Sequence, residues 1–404
     1  MQMIDPRFPP QPGKLLVSLY PMQNHFDEGA ILQGILFKQN SRRRFIEELR
    51  GECNNIDVER SFIFLNSGSA CLYEYLFWKS QSKKHVQKVA VPAYCCPDVG
   101  YAIIKAGALP VFIDIDNEYG ISKASIDFAK EHGATLILWP AFYGSRRRDE
   151  ELLNYITDLG IDIILDEAQS FPGTTFDIRY KTLLSFGVTK RLNGAGGGAL
   201  YLPDGTERTQ FLEHITDTVR EANGEMTTVL DIILTRIKKI LGYKRKLESE
   251  LPVYVEKNAK IALKQKVEVA QMNSLQYAIA AKRFRQLRAQ QVQLSSLYSL
   301  LSVFVKRAFG DDCTKPSEDL SSFPTIFAVR LPAAHRFENS TYLATLGIQT
   351  TWYYYPLNKI SSFSHFESEL TPNTDLLSSE VLMLPFGLGH VLKRRKLYER
   401  VLSQ

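Results

Sequence analysis

The sequence predicts an α/β fold, with a parallel sheet covered by helices on both faces and a smaller α/β domain at the C-terminal end. Three observations favour it. From Phe62 onward, short apolar runs alternate with helix-length amphipathic segments. The runs are almost continuously Val, Ile and Leu, which is typical of strands buried on both faces. At 404 residues the chain also exceeds the usual size of one hydrophobic core, which favours two domains.

The predicted strands of the large domain follow one another in a regular order. FIFL precedes the turn NSGSA and a helical pattern, and VAVP precedes another helical stretch. The full series is FIFL at 62–65, VAVP at 89–92, PVFIDI at 110–115, TLILWP at 135–140, DIILDEA at 162–168 and GGALYL at 197–202. Because ligands in open α/β sheets bind beyond the carboxyl ends of the strands, residues at those ends are the candidates for a functional site.

The character of the chain changes after residue 202. Residues 206–301 are predicted to be mostly helical, and the stretch 225–266 is notably basic. This stretch is either a solvated helical face or a surface that meets an anionic lipid or a phosphate-bearing substrate. From Thr325 onward, TIFAVRL and TTWYYYPL predict short strands before a final helix. We therefore predict a large domain of residues 1–265, which includes the basic stretch, and a small domain of residues 266–404.

Composition excludes several classes of protein. The chain is 45% hydrophobic and 23% charged, and its net charge of +5 is spread along the sequence, which argues against nucleic-acid binding. Five cysteines without metal-ligand spacing predict reduced thiols, no metal site and a cytoplasmic location. The N-terminus lacks the apolar run of a signal peptide, and no segment has the length of a membrane span. We expect a soluble protein.

The turn after the first strand predicts a phosphate site. In NSGSAC, at 66–71, Gly68 permits a tight turn, and the amides of Ser69 and Ala70 lie at the positive end of the next helix. Small residues also begin many helices for capping reasons alone, so the motif has a purely structural interpretation as well.

Asp166 ends an apolar strand, at the edge of the sheet where ligands bind. A partly buried aspartate needs a cation or hydrogen bonds to stay ionised, and a protonated pyridine nitrogen is such a cation. The alternative interpretation is an aspartate that caps the following turn.

A single lysine stands in the glycine-rich stretch SFGVTKRLNGAGGG, at 185–198. Ser185 precedes Lys190 by five residues and offers a hydroxyl to the same phosphate. The glycines let the chain pass close to a ligand. By itself the stretch is more typical of a flexible surface loop with a solvated lysine.

Together the three motifs match the requirements of pyridoxal 5'-phosphate. This cofactor needs a phosphate site, a carboxylate that keeps its ring nitrogen protonated and an amine for the Schiff base. The ion pair at the nitrogen makes the pyridine an electron sink, and the released lysine is the general base for the substrate's Cα proton. The sequence therefore predicts Lys190 and Asp166 as catalytic residues.

At these residues the sequence resembles the DegT-type sugar aminotransferases, a family of fold-type I pyridoxal-phosphate enzymes. The colinear matches include SGSACL, VAVPAY, DIILDEAQSFPG and SFGVTKRLNGAGGGAL. The resemblance implies a mostly parallel seven-stranded-type sheet and a homodimer with active sites at the subunit interface. It also implies that Gln169 lies beside the ring near its phenolic oxygen. Ser185 and the Gly68, Ser69, Ala70 turn are then the residues that hold the phosphate.

The sequence departs from this family pattern at several positions. The family usually has an aromatic residue that stacks on the ring at the position of Cys96, and Tyr94 is the candidate to replace it. VAQM, at 269–272, stands where the family has a stretch similar to NYRM. The basic stretch 225–266 is an insertion relative to the family core.

Candidate substrate residues lie near the C-terminal end. Tyr353 and Tyr354, in TTWYYYPL, line a substrate pocket or belong to the core. His390, in FGLGH, approaches the site or is a surface histidine.

The resemblance implies an aminotransferase that moves an amino group, usually from glutamate, to a nucleotide-linked keto sugar for surface polysaccharide or glycan biosynthesis. Lys190 favours aminotransfer, because the family's dehydratase variants have histidine at this position. Two alternative functions stay open. The protein is either another fold-type I enzyme that acts on a non-sugar substrate, or a non-catalytic descendant that binds the cofactor or a ligand. The expected partners are small molecules and a second subunit, without nucleic acid. Peripheral membrane contact through the basic stretch is an open alternative.

Overall fold

Seven strands form the main sheet in the spatial order β1-β7-β6-β5-β4-β2-β3. They are β1 Phe62–Leu65, β2 Lys88–Pro92, β3 Leu109–Ile113, β4 Leu136–Pro140, β5 Asp162–Asp166, β6 Lys181–Ser185 and β7 Gly198–Tyr201. Strand β7 is antiparallel to β1 and β6, and the remaining pairs are parallel. The predicted α/β fold with a mostly parallel sheet is confirmed.

This computed structural model describes most of the chain from residue 38 onward. The described residues are 38–53, 56–82, 87–144, 149–172, 176–187, 189–221, 224, 226, 228–230, 232, 251–310, 327–345, 348, 350, 353–384, 386 and 398–399. His390 and half of the basic stretch predicted at 225–266 lie outside the described residues.

Helices precede, separate and follow the strands. Those of the first part are α1 Lys38–Arg50, α2 Val58–Ser61, α3 Gly68–Ser82, α4 Pro97–Lys105, α5 Lys123–Glu131, α6 Glu150–Asp158, α7 Thr206–Thr218 and α8 Leu251–Lys264. Side chains fix several of their ends. The Ser122 hydroxyl accepts a hydrogen bond from the Ser125 amide at 3.1 Å and so caps α5.

Alternate residues of one strand reach opposite faces of the sheet. Leu136 and Leu138 of β4 pack in a cluster with side chains of α3 and α4. Ile137 and Trp139 of the same strand pack in a second cluster with side chains of α5 and α6. Helices therefore cover both faces, as the continuous apolar runs predicted.

The C-terminal part combines longer helices with a small sheet. Its elements are α9 Ser274–Ala289, α10 Gln291–Phe309, β8 Phe327–Arg330, α11 Ala333–Thr345, α12 Pro372–Glu380 and β9 Val381–Leu384. Strands β8 and β9 pair antiparallel. Asn273 and Gln276 form a capping box at the start of α9. The predicted strand in TTWYYYPL is wrong for residues 353–356, which have irregular backbone.

The C-terminal part packs directly on the first part. Helix α9 lies against α1, and the Phe284 ring packs on the Phe45 ring with centroids 5.9 Å apart and planes at 52°. Residues 367–369 cover the edge of the main sheet, because the Phe112 amide donates to the Glu367 carbonyl at 2.9 Å. The domain boundary at residue 265 stays a prediction.

In the part of the chain that the structure describes, no helix has the length and apolarity to cross a membrane. Four of the cysteines, Cys53, Cys71, Cys95 and Cys96, are free thiols.

Candidate active site

The candidate site lies where β2, β5 and β6 end and where α3 and α4 begin. Asp166 is the last residue of β5, and Ser185 is the last residue of β6. Cys96 follows β2 and is the N-cap of α4. The topology thus brings together strand ends that are far apart in the sequence, as expected for parallel strands.

The predicted phosphate turn lies against the end of β6. The Ser67 hydroxyl accepts from the Ala70 amide at 3.0 Å, so it caps α3 at its first turn. A Cβ atom on Gly68 would lie 3.0 Å from Ser185 Cβ and 3.1 Å from the Leu184 carbonyl oxygen. A side chain at this position would force the end of β6 to shift by a few tenths of an ångström, so glycine lets the helix N-terminus lie beside the Ser185 side chain.

Asp166 is almost buried, with 9% of its surface exposed. Its Oδ1 accepts a hydrogen bond from the Ala168 amide at 2.9 Å. Its backbone carbonyl accepts from the Ala141 amide at 2.9 Å, which ties the end of β5 to the end of β4. The side chain therefore caps the turn after β5, and it does so at the ligand edge of the sheet.

Lys190 follows a tight turn that begins at Ser185. Its backbone amide donates to the Gly187 carbonyl at 2.9 Å. A Cβ atom on Gly187 would lie 3.8 Å from Lys190 Cγ and 3.6 Å from Ser185 Oγ. The lysine stem and the serine hydroxyl thus both lie close to the same position beside Gly187.

Lys190 and Asp166 both affect the pKa values of the two thiols that follow β2. Burial raises the pKa of Cys95 well above its ordinary value, Asp166 raises it further, and Lys190 opposes the rise. Burial and Asp98 raise the pKa of Cys96 to about 12, again against Lys190. Burial also raises the pKa of Asp98, and Lys190 is the first group that counteracts it. The charges of Lys190 and Asp166 therefore both act on Cys95 and Cys96.

Gln169 has its carboxamide bonded on both sides. Its Oε1 accepts from the Tyr143 amide at 2.7 Å, and its Nε2 donates to the Tyr354 hydroxyl. The contact with a backbone N–H fixes which end of the carboxamide is oxygen. Gln169 therefore links the turn after β5 to the C-terminal segment that carries Tyr354.

A cluster of tyrosines lies beneath the strand ends. The Tyr94 and Tyr143 hydroxyls lie 2.6 Å apart, and the Tyr353 carbonyl accepts a hydrogen bond from this pair. Burial raises the pKa of Tyr94, Tyr143 and Tyr354 well above their ordinary value, so all three are protonated at neutral pH. Tyr94 is fully buried in this cluster, whereas Cys96 lies at its margin and is partly exposed.

Two residues of this region were not among the predicted site residues. Asp98 lies in the first turn of α4, where its carboxylate interacts with Lys190. Asp98 could have been predicted from the sequence, because it stands two residues after Cys96 at the N-terminus of a helix that follows a strand. Tyr143 has a positive φ of 55° within a buried 3₁₀ turn, and no local pattern predicts its bond to Gln169.

The fold and the strand-end residues together fit a pyridoxal-phosphate-dependent transferase. The residues present fit this cofactor, because the Gly68 turn is a cradle that a side chain would fill, next to a serine, a buried carboxylate and a lysine. The model of the DegT/DnrJ/EryC1/StrS aminotransferase family matches residues 56–394, so the chain belongs to this family. The predicted family, and with it the predicted enzyme class of aminotransferases, is confirmed.

Known proteins agree with this assignment at different levels. The chain is 26% identical over 228 residues to the dTDP-4-amino-4,6-dideoxy-D-glucose transaminase of Escherichia coli. The aligned residues cover 51% of this chain and 60% of that relative. The structure of PseC from Helicobacter pylori, an aminotransferase of pseudoaminic acid biosynthesis, superposes with a TM-score of 0.68 at 13% identity, over 96% of this chain and 99% of that one. DesI in the presence of its TDP-sugar product gives a TM-score of 0.67 at 15% identity, over 96% and 93%. These two structural likenesses concern the fold.

Proposed function

We propose that this chain is a pyridoxal-phosphate-dependent sugar aminotransferase that accepts a nucleotide-linked keto sugar, with glutamate as the amino donor. One observation carries the proposal, which is that Asp166 ends β5 while the Lys190 stem lies close to Ser185, the last residue of the neighbouring strand β6. The phosphate turn at Gly68 and Ser185 adjoins them. The named relatives support the substrate class, since one is a dTDP-sugar transaminase and another was solved with a TDP-sugar product.

Each proposed role follows from the chemistry of one side chain. Asp166 pairs with the pyridine nitrogen, and this ion pair keeps the nitrogen protonated and the carboxylate charged. Ser185 and the first-turn amides of α3 bind the phosphate. The ε-amino group of Lys190 holds the cofactor in the resting enzyme and moves the proton at the substrate's Cα atom. When bound, pyridoxal phosphate supplies the electron sink that makes this proton acidic.

The finer assignments are part of the same proposal. We place the enzyme in the cytoplasm, in a pathway of surface polysaccharide or glycan biosynthesis, as a homodimer with active sites at the subunit interface. The sugar named in the curated relative supports the pathway. Tyr353 and Tyr354 are proposed to lie at the substrate side of the site, close to Gln169.

An absorption spectrum tests the proposal directly. The purified protein with added pyridoxal phosphate should show a violet-to-blue band that borohydride removes and that glutamate changes. Lys190→Ala should abolish this band and lower turnover by at least about 10³-fold. Lys123→Ala, on the exposed side of α5, is the matched control and should leave both unchanged. A Lys190→Ala protein with an unaltered band and turnover would contradict the assignment.

The acceptor is identified in a second step. After glutamate has converted the cofactor to its amino form, a panel of nucleotide-linked keto sugars and simple 2-oxo acids is added separately. Recovery of the original band with a keto sugar supports the proposed substrate class. Recovery with 2-oxo acids alone favours another reaction of the same fold type. Failure of every donor to change the band favours a non-catalytic binding protein.

A further inference from the structure

Residues 353–357 bring the C-terminal part of the chain onto the candidate site. The Leu357 amide donates to the Ala93 carbonyl at 2.9 Å, directly after β2. The Tyr353 carbonyl accepts from the Tyr143 hydroxyl at 2.8 Å, and the Tyr354 hydroxyl accepts from Gln169. The segment is therefore held at three points along the ligand edge of the sheet.

Tyr354 is the side chain that this segment buries at the strand ends. It is 7% exposed, and its ring meets the Tyr94 ring edge to face, with centroids 5.5 Å apart and planes at 84°. Burial raises the pKa of Tyr354, and the neighbouring groups Cys96, Cys95 and Asp166 raise it further. The phenol ring belongs to the buried cluster against which Cys96 packs.

The strand ends at the candidate site supply no large side chain to cover the face of a bound pyridine ring. A pyridine ring whose nitrogen pairs with Asp166 needs an apolar or aromatic surface against its face, because the ring is otherwise exposed to water. Cys96, at the end of β2, has a small side chain that covers little of a six-membered ring. Tyr354 packs in the same cluster as Cys96 and carries a full aromatic ring, against which the Tyr353 ring stacks with centroids 5.2 Å apart.

The geometry points to Tyr354 as the aromatic wall of the cofactor site, supplied by the C-terminal segment in place of a large side chain at Cys96. Gln169 is the positioning residue, because its bond to the Tyr143 amide orients its Nε2 toward the Tyr354 hydroxyl. This inference rests on the proposed function, since it presupposes that the site binds pyridoxal phosphate.

Cofactor affinity of the full-length protein tests the inference. Tyr354→Phe keeps the ring, whereas Tyr354→Leu fills much of the same volume without an aromatic face. We expect the Leu variant to bind pyridoxal phosphate about tenfold more weakly than wild type and the Phe variant to stay within about threefold. Adding Cys96→Tyr to the Leu variant restores an aromatic ring and should recover most of the lost affinity.

The control is a tyrosine of the same cluster. Tyr119→Leu removes a buried ring that packs on Tyr143, with centroids 5.4 Å apart, but that has no bond to Gln169. It should lower the unfolding temperature as much as Tyr354→Leu does and leave the dissociation constant of the folded protein within about threefold of wild type. Circular dichroism of each apoprotein verifies the fold, and Tyr354→Met replaces the Leu variant if the latter is unfolded.

The outcomes separate the inference from the proposed function. Wild-type protein that binds no pyridoxal phosphate overturns both. Wild-type binding together with equal affinity in the Phe and Leu variants overturns the aromatic wall alone. Tighter binding by the Leu variant also overturns it, because Tyr354 then excludes the ring. Loss in the Leu variant, retention in the Phe variant and rescue by Cys96→Tyr support it.

Discussion

The amino ends of β5 and β6 carry a charge cluster that makes the stability of the protein depend on pH. Lys181 Nζ lies 2.5 Å from Asp162 Oδ1 and 3.1 Å from Glu207 Oε2. Glu207 also pairs with Lys79 and accepts a hydrogen bond from the Tyr75 hydroxyl at 2.7 Å. The Lys181 side chain is only 9% exposed, and these carboxylates compensate its buried charge.

We predict that Glu207→Gln destabilises the protein by about 2 kcal/mol at neutral pH. Burial alone raises the pKa of Glu207, but Lys181 and the bonds from Lys79 and Tyr75 outweigh it and lower the pKa from 4.5 to about 2. A shift of this size corresponds to about 3 kcal/mol of stability. Because the carboxylate is 33% exposed, solvent screening reduces the contribution to about 2 kcal/mol.

The sign of the pH dependence follows from the lowered pKa. The contribution is complete above the unfolded pKa near 4.5 and is lost as the pH falls toward 2. Urea unfolding of wild type and variant at pH 7 and pH 3.5 measures it as a difference of free energies. The difference should shrink by about two fifths between these pH values. The control is Glu213→Gln, an exposed position on the same helix, α7, which should lie within about 0.5 kcal/mol of wild type at both pH values. A Glu207→Gln effect that is absent at pH 7, or that grows at pH 3.5, would refute the reasoning.

Three further perturbations follow from the site and its surroundings. Asp166→Asn removes the charge that pairs with the ring nitrogen and should lower single-turnover rates with glutamate by at least about 100-fold; an unchanged rate would exclude this role. Gly68→Ala places a Cβ atom 3.0 Å from Ser185 Cβ and should weaken pyridoxal-phosphate binding about tenfold in a titration; wild-type affinity would show that the turn does not hold the phosphate. Asp114 caps α12 through the Thr374 amide at 2.9 Å and its hydroxyl at 2.7 Å. Asp114→Ala should therefore lower the free energy of unfolding by about 1–2 kcal/mol, and equal urea midpoints would contradict this.

Local patterns predicted the elements that meet at the site. The apolar run predicted as a strand at 62–65 has the same bounds as β1, and the small residues that follow it begin α3. Both could be predicted because strand burial and helix capping depend on only a few neighbouring positions. The parallel arrangement then accounts for the proximity of Asp166 and Ser185, since both end neighbouring strands. These steps need only periodicity and the rule that such strands share one ligand edge.

The rest depends on contacts between residues that are distant in the sequence. The pairing of Phe112 with residues 367–369 joins segments more than 250 positions apart, and nothing in either segment specifies the other. The same holds for Gln169, whose bond to Tyr354 spans 185 positions. Residues 353–356 have the aromatic composition of a strand, but here their side chains are fixed by contacts with the site and the backbone is irregular.

The charge cluster and the candidate site are the two ends of the same short strands. Strand β5 runs from Asp162 to Asp166, and β6 from Lys181 to Ser185, so each has a cluster residue at its start and a site residue at its end. A slip of one residue between them would turn the Asp166 side chain to the other face of the sheet. The ion pair of Lys181 with Asp162 opposes such a slip, because it joins the two strands at one register. The pair therefore stabilises the geometry of a site that it does not touch.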